Sequence, residues 1–151
     1  MAQTVVLVTF SCRDGETEKQ ALAAAVGAVQ ARALIRLRRL PDTDSEAVSE
    51  TERRMRKEYV APTEKDVLGA DALILAASPE TPHARWEEFL NLLRKLRNEQ
   101  KLGEKVAAEL GISCVDELGF KVVRAGSNDP TSLGRDVAEA ARSLKTKKEI
   151  S

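Results

Sequence analysis

The most constraining feature of the sequence is a short apolar run followed directly by a glycine-containing turn and a helical pattern. Val5 to Val8 is continuous and β-branched, as in a strand buried on both faces. The stretch TFSCRDGETEK, from Thr9 to Lys19, follows this run, and we predict a helix that begins near Gly15. Its buried stripe is predicted from apolar residues at helical spacing: Leu22, Ala25, Val26 and Val29. Such a junction can bind phosphate, because the first-turn N–H groups lack intrahelical partners and the helix dipole favours an anion.

Length and composition limit the fold and its partners. The 151 residues are about the size of one domain and show no break in composition, so we predict one domain over 1–151, with a tail that frays from about Lys145. The 24 Lys and Arg residues balance the 24 Asp and Glu residues, so no net field attracts nucleic acid or an anionic membrane. The chain opens with a polar MAQT, and no run approaches the roughly 20 apolar residues of a membrane span. We therefore expect a cytoplasmic protein.

Two charged segments follow the first helix. Ala33 to Leu40 mixes aliphatic residues with arginines, as edge strands do to prevent pairing between sheets, and Pro41 ends it. Ser45 to Glu58 is typical of an exposed helix, and its RRMRK run is interpreted as a solvated face because glutamates are interleaved with it. Its predicted i,i+4 ion pairs are Glu50–Arg54 and Glu52–Arg56. Its apolar stripe is thin and consists of Val48, Met55 and Tyr59.

The second half of the chain continues to alternate strands and helices. Thr63 to Asp66 has the pattern of a capping box that starts a short helix, which Gly69 ends. Ala72 to Ala77 is a second buried strand, and Ser78-Pro79 ends it. The next helix, from about Ala84 to Asn98, presents one apolar face made of Trp86, Phe89, Leu90 and Leu93. We interpret Trp86 as a core residue rather than a partner for a ring-shaped ligand.

The last elements complete an α/β pattern. Lys105 to Ala108 and Phe120 to Val123 are predicted strands, and Asp129-Pro130 supplies an N-cap and a first-turn proline for the last helix. That helix is predicted to pack through Leu133, Val137, Ala141 and Leu144. Strands that alternate with helices predict a five-stranded parallel sheet covered on both faces, with a ligand crevice at the carboxyl ends of its strands.

The opening stretch resembles the phosphate-binding loop of flavodoxins. The whole chain is most similar to the flavodoxin-like NAD(P)H:quinone oxidoreductases, also called tryptophan-repressor-binding proteins, and to related FMN reductases. Further resemblances follow in the family's order: Thr63 to Ser78 ahead of Pro79, Phe89-Leu90, Gly103-Glu104-Lys105, Leu118-Gly119-Phe120, and Gly134-Arg135 with Val137-Ala138. The resemblance implies a doubly wound sheet of strand order 2-1-3-4-5 with helices on both faces.

The resemblance also implies a set of cofactor-binding residues. In the first loop, Ser11, Arg13, Gly15 and Thr17 match positions that hold the FMN phosphate in the family. Cys12 and Asp14 stand where hydroxyl residues are usual, and Glu16 stands where Asn is common. The second loop supplies Ser78, Pro79, Glu80 and Thr81, but it is shorter than in the oxidoreductases and lacks their aromatic and glycine residues. The third, from Glu109 to Leu118, leaves little room for the usual loop and full helix.

The function implied by the resemblance is FMN binding in electron transfer or in NAD(P)H-dependent reduction of a quinone or flavin. The expected partners are flavin, NAD(P)H or a redox partner protein, in a monomer or at most a homodimer. No residue has the pattern of a general acid or base, so no catalytic residue is predicted. The alternative is a domain of the same fold that has lost flavin and acts as a non-enzymatic interaction module. A NAD-binding Rossmann domain is excluded because no GxGxxG motif follows the first strand.

The cysteines and the single histidine form a second candidate site. Cys12, His83 and Cys114 follow three different predicted strands, so they could meet as a thiolate–imidazole pair or a partial zinc site. No metal-ligand spacing such as CxxC is present, which favours two small apolar thiols and an exposed histidine. Two cysteines also cannot form a disulfide framework, in agreement with a reducing compartment. A phosphatase loop is excluded, because Glu18 stands where that loop requires an arginine.

Two carboxylates flank the glycine of the first loop. Asp14 and Glu16 are expected to be ionised at neutral pH and to occupy the anion site at the start of the helix themselves. Replacing Asp14 with Thr and Glu16 with Asn is therefore expected to tighten FMN binding, most strongly at low salt.

Overall fold

The computed structural model describes residues 3–11, 15–40, 50–77, 84–103, 105–111, 118, 120–123 and 129–150. The elements follow the chain in this order: β1 (Val5–Ser11), α1 (Glu16–Gln30), β2 (Leu34–Arg39), α2 (Glu50–Glu58), α3 (Glu64–Gly69), β3 (Ala72–Ala77), α4 (Ala84–Asn98), β4 (Val106–Leu110), β5 (Lys121–Val122) and α5 (Pro130–Ile150). Among these residues, no helix is both long enough and apolar enough to cross a membrane.

The five strands form one parallel sheet in the order β2-β1-β3-β4-β5. This is the doubly wound arrangement that the resemblance implies, and the prediction is confirmed. β1 pairs on both sides, with Val6 opposite Ile35 of β2 and Ala72 of β3. β2 lies at the edge of the sheet, as its arginines predict. The strand order reverses between β1 and β3, so the carboxyl ends of these two strands border the crevice where such sheets bind ligands.

Helices cover both faces of the sheet and create two apolar cores. Val6, Val8 and Phe10 of β1 face α1 and α5, and they are fully buried with Val137 of α5. Leu7 of β1 faces the opposite side, where it joins a cluster built largely from β3 and α4: Leu73, Leu75, Trp86, Phe89, Leu90 and Leu93. The alternation along β1 therefore supplies both cores from one strand.

Local sequence signals place several boundaries correctly. The capping box at the start of α3 is formed as predicted: Asp66 N donates to Thr63 Oγ1 at 3.2 Å, and Thr63 N donates to Asp66 Oδ2 at 3.0 Å. Asp129 caps α5, since its Oδ1 accepts from Thr131 N at 3.2 Å, and Pro130 is the first helical residue. Trp86 is 3 % exposed and belongs to the core, as interpreted from the sequence.

The buried face of α1 differs from the predicted stripe. Of its four predicted residues only Ala25 is buried, whereas Leu22, Val26 and Val29 are 40 %, 51 % and 52 % exposed. The helix instead buries its smallest residues: Ala21, Ala24, Ala25, Gly27 and Ala28. The cause is α5, which crosses α1 so closely that a Cβ on Gly27 would lie 1.9 Å from Thr131 O. A backbone contact of this kind excludes Leu and Val from the interface.

The last helix is longer than expected. α5 continues to Ile150, past the point near Lys145 where fraying is predicted. Lys145 Nζ donates to Gln3 O at 2.9 Å and to Asp71 Oδ2 at 3.2 Å. These bonds fix the helix to the amino-terminal edge of the sheet.

Candidate functional site

The junction between β1 and α1 lies at the carboxyl edge of the sheet and has the geometry of an anion site. Ser11 ends β1 opposite Ala77, the last residue of β3. Gly15, the N-cap of α1, has φ 89°, in the left-handed region where glycine is favoured. The first intrahelical bond runs from Lys19 N to Gly15 O at 3.0 Å, and Gly15 has no side chain to cap the turn. The N–H groups of the first three helical residues therefore precede the intrahelical ladder and are placed to receive an anion.

Four of the predicted cofactor residues belong to the described part of this junction. Ser11 is 0 % exposed at the end of β1, Thr17 is 6 % exposed in the first turn of α1, and Gly15 links the two elements. The fourth is Glu16. The others lie outside the described residues: Cys12, Arg13, Asp14, Ser78, Pro79, Glu80 and Thr81. Cys12, His83 and Cys114, which could form a second site, also lie outside the described residues.

Glu16 does not behave as expected from the sequence. Its side chain is 73 % exposed, and its Oε1 lies 3.6 Å from Lys19 Nζ on the outer surface of α1. The first helical residue projects outward here, so its carboxylate does not occupy the anion site. The expectation that Glu16 blocks phosphate is therefore corrected, whereas Asp14 lies outside the described residues.

Among the described residues of this junction, Glu18 is a buried acidic residue. It is 5 % exposed, and its two carboxylate oxygens accept hydrogen bonds from Arg54 of α2 and from Tyr59, which follows that helix. Arg54 Nη2 donates to Oε1 at 2.6 Å and Arg54 Nη1 donates to Oε2 at 3.0 Å. The Tyr59 hydroxyl donates to Oε2 at 2.6 Å. Glu18 is thus the centre of a charged cluster that ties α2 to the first turn of α1.

The charged residues of the RRMRK run are exposed, as the sequence predicts, but Arg54 also reaches across to the buried Glu18. Arg54 pairs with Glu18 and, at 2.6 Å, with Glu58, rather than with Glu50 as the i,i+4 pattern predicts. The sequence gives one indirect signal. Glu18 occupies the third helical position, where a glutamate normally bonds back to the N-cap of a Ser or Thr capping box, but the N-cap here is Gly15. The Glu18 carboxylate therefore makes no capping-box bond and can bind a partner on another element. The sequence does not identify that partner, which is 36 residues away.

The electrostatics of the cluster follow from its contacts. The Arg54 guanidinium, aided by the Tyr59 hydroxyl, holds the pKa of Glu18 below its ordinary value. Burial, together with the hydrogen bond to Glu18, raises the pKa of Tyr59 to about 12. Hydrogen bonds to Glu18 and Glu58 raise the pKa of Arg54. At neutral pH the cluster therefore contains a carboxylate, a guanidinium and a neutral phenol.

Apolar contacts fix α2 over the junction. Met55 is 0 % exposed, and the Tyr59 ring meets the Phe10 ring edge-on, with centroids 4.9 Å apart. Thr51 Cγ2 lies 3.4 Å from the position that a Cβ on Gly15 would take. An open cavity of about 710 Å³ lies beside α2, and the lining residues come from that helix: Glu50, Thr51, Arg53, Arg54, Lys57 and Glu58.

The carboxyl edge is also crowded on the side of β4. Gly111 has φ 78°, and a Cβ there would lie 2.1 Å from Ala77 O. Gly111, the residue after β4, therefore lies directly against the last residue of β3. Only glycine permits this approach.

None of the five aromatic residues of the chain offers a free ring to a ligand. Phe10, Trp86, Phe89 and Phe120 are buried, and Tyr59 is engaged by Phe10 and Glu18. A flat ring bound at this edge would therefore meet aliphatic and backbone groups rather than an aromatic stack. Within the described ranges, no group of His, Cys, Asp and Glu side chains is arranged to hold a metal ion.

Comparison with solved structures finds the same fold in flavodoxin-type proteins. A flavodoxin, WrbA-like protein from Agrobacterium tumefaciens has a TM-score of 0.58 at 17% identity, over 93% of this chain and 99% of its own. A diflavin flavoprotein A3 from Nostoc sp. has a TM-score of 0.60 at 17% identity, over 98% and 99%. A flavone reductase has a TM-score of 0.54 at 13% identity, over 94% of this chain and 64% of its own. No family model matches the sequence, and no curated protein matches it at a significant level. Identities this low show the fold alone, and the fold is flavodoxin-like.

Proposed function

We propose that this flavodoxin-like chain binds FMN at the carboxyl edge of its sheet, with the phosphate against the β1–α1 junction. The observation that carries the proposal is the start of α1: a left-handed Gly15 with no capping side chain, followed by first-turn N–H groups that precede the intrahelical ladder. Buried Ser11 and Thr17 place hydroxyl residues on either side of that turn. The names of the structural neighbours, which include flavodoxins and a flavoprotein, support the choice of flavin.

Bound flavin would supply the redox chemistry by accepting and passing on electrons, and the protein would bind and orient it. The first turn of α1 would hold the phosphate. We propose an electron-transfer or NAD(P)H-dependent reductase role in the cytoplasm, with NAD(P)H or a redox partner protein supplying electrons. The neighbours' names, which include flavodoxins and a flavone reductase, are compatible with either role.

Flavin titration tests the proposal. Purified protein is added to FMN, and the quenching of flavin fluorescence gives the dissociation constant. Thr17→Ala, in the first turn of α1, is expected to weaken binding about tenfold, because it removes a hydroxyl donor to a charged group. Thr146→Ala is the matched control, since Thr146 lies on α5 and its hydroxyl donates to Arg142 O. If FMN shows no quenching at high protein concentration, the proposal is overturned and the interaction-module alternative is favoured.

A further inference from the structure

Helix α2 closes over the start of α1 and brings a cation to a buried carboxylate there. Thr51 Cγ2 lies 3.4 Å from the Cβ position of Gly15, and Glu18 Oε1 lies 3.9 Å from the same point. The Glu18 carboxylate is therefore beside the turn that would receive an anion. Both of its oxygens accept hydrogen bonds from Arg54, and Met55, the next residue of α2, is fully buried in the core and anchors that helix.

This arrangement solves an electrostatic problem. A carboxylate in the first helical turn interacts favourably with the helix dipole, but it repels any ligand phosphate that approaches the same N–H groups. Repulsion at such short range is weakly screened, because Glu18 is 5 % exposed. The Arg54 fork cancels the charge with two parallel hydrogen bonds, and the Tyr59 hydroxyl occupies a further lone pair of Oε2. Arg39, buried at the end of β2, adds a second positive charge that acts on Glu18.

We propose that Arg54 is a positioning residue for the ligand phosphate. It neutralises Glu18 and holds this carboxylate toward α2, so that the first turn of α1 presents its N–H groups to a dianion. The inference rests on the proposed function. It adds that α2 makes the site selective for a phosphorylated flavin over riboflavin, which carries the same ring without the phosphate.

A purely structural tie between α2 and α1 would have different consequences. If Arg54 only holds α2 in place, its loss weakens the binding of FMN and of riboflavin equally. Removing the charge of Glu18 as well then weakens the binding of both further. If Arg54 acts by neutralising Glu18, its loss penalises FMN alone, and removing the charge of Glu18 restores binding. The ratio of the two affinities and the double variant therefore separate the roles.

The experiment compares FMN and riboflavin affinities, by fluorescence quenching, for the parent and four variants. Arg54→Gln is expected to weaken FMN binding about tenfold, more at low salt, with riboflavin unchanged. Adding Glu18→Gln to it is expected to restore FMN affinity to within about threefold of the parent. Glu18→Gln alone leaves Arg54 unneutralised and is expected to tighten FMN binding. Arg56→Gln removes the same charge from the same helix, at an exposed residue that does not line the cavity, and as the matched control it is expected to have little effect.

The outcomes distinguish the two proposals. A parent protein that binds neither flavin overturns the proposed function. A parent that binds FMN overturns the role of Arg54 if Arg54→Gln behaves like Arg56→Gln, or if it weakens FMN and riboflavin in parallel. Should Arg54→Gln fail to fold, Glu18→Gln alone decides: a several-fold tighter FMN affinity supports the inference, and an unchanged or weaker affinity contradicts it.

Discussion

Gly134 of α5 lies directly on the backbone of Ala24 in α1, where a Cβ on Gly134 would come within 1.8 Å of Ala24 O. The reciprocal contact is made by Gly27, so each helix supplies one glycine to the crossing. This crossing sets the position of α1 on the sheet, and with it the position of the first helical turn at the carboxyl edge.

Gly134→Ala is expected to destabilise the fold by about 2 kcal/mol, because the helices must separate to admit a methyl group. The clash must outweigh a helix-propensity gain of about 1 kcal/mol that alanine brings. Urea unfolding measures the change. Gly69→Ala is the matched control, because a Cβ there meets nothing within 4 Å, and it should keep or raise stability. Equal effects at the two positions would contradict the close crossing.

The exposed face of α1 gives a second prediction. Val26 is 51 % exposed, so Val26→Ala should change the free energy of unfolding by no more than about 0.5 kcal/mol. Ala24 is 0 % exposed at the crossing, so Ala24→Val should cost about 1–3 kcal/mol. The same urea experiment compares them. A larger loss for Val26→Ala than for Ala24→Val would mean that α1 is rotated about its axis.

Strand β3, the start of α3 and helix α1 show where sequence patterns succeed and where they fail. Ala72 to Ala77 is predicted residue by residue, since an apolar run of this length between two turn signals is too short for a buried helix. The Thr63 capping box depends only on residues within one turn. α1 contains both a stripe of large aliphatics and a stripe of small residues. Hydrophobicity favours the first, but the contact between Gly27 and α5 selects the second, and that contact joins distant parts of the chain.

The candidate site shows the same division. Gly15 and Thr17 are recognisable because a strand, a glycine and a helix start follow one another directly. The bond between Glu18 and Arg54 is not, because it spans 36 residues and depends on where α2 docks. Arg54 has Glu50 and Glu58 at equal spacing on its own helix, so local pairing rules give no reason to connect it with α1.

Acid is expected to weaken the tie between α1 and α2. The pKa of Glu18 in the folded protein is below its ordinary value of 4.5, so its contribution to stability is present above that value and is lost as pH falls through the folded pKa. The parent should therefore be more stable than Glu18→Gln at pH 7, and the difference should shrink in acid. Urea unfolding at pH 7 and at a pH below the folded pKa of Glu18 measures this stability difference. Glu139→Gln, on the exposed face of α5, is the charge-matched control. A difference that does not depend on pH would contradict an ionised Glu18 in the cluster.

The exposed position of Glu16 predicts that Glu16→Asn alone has little effect on flavin. Its side chain is 73 % exposed beside Lys19, so water and salt screen its charge. FMN affinity should change by less than about threefold. Fluorescence titration checks this, and a tenfold gain would show that Glu16 reaches the phosphate after all. Any larger gain in the Asp14→Thr, Glu16→Asn double variant is then assigned to Asp14.

The assembly proposed for the chain is a monomer or at most a dimer. The loops of the carboxyl edge that resemble flavin loops are short in sequence, which removes surface that a larger assembly would use. Light scattering of the purified protein measures the mass. A stable tetramer would contradict this proposal without bearing on the fold.

The most direct test of the account is to locate the phosphate by NMR. In protein labelled with ¹⁵N, FMN is added and the backbone amide signals are followed. We expect the largest shifts on Gly15, Glu16, Thr17 and Glu18, and we expect inorganic phosphate to move the same signals less. Signals at the opposite edge, such as those of Asp71 and Gly103, should stay in place. Saturable FMN shifts that leave the first turn of α1 unmoved, or no shifts at all, would contradict the claim that this junction holds a flavin phosphate.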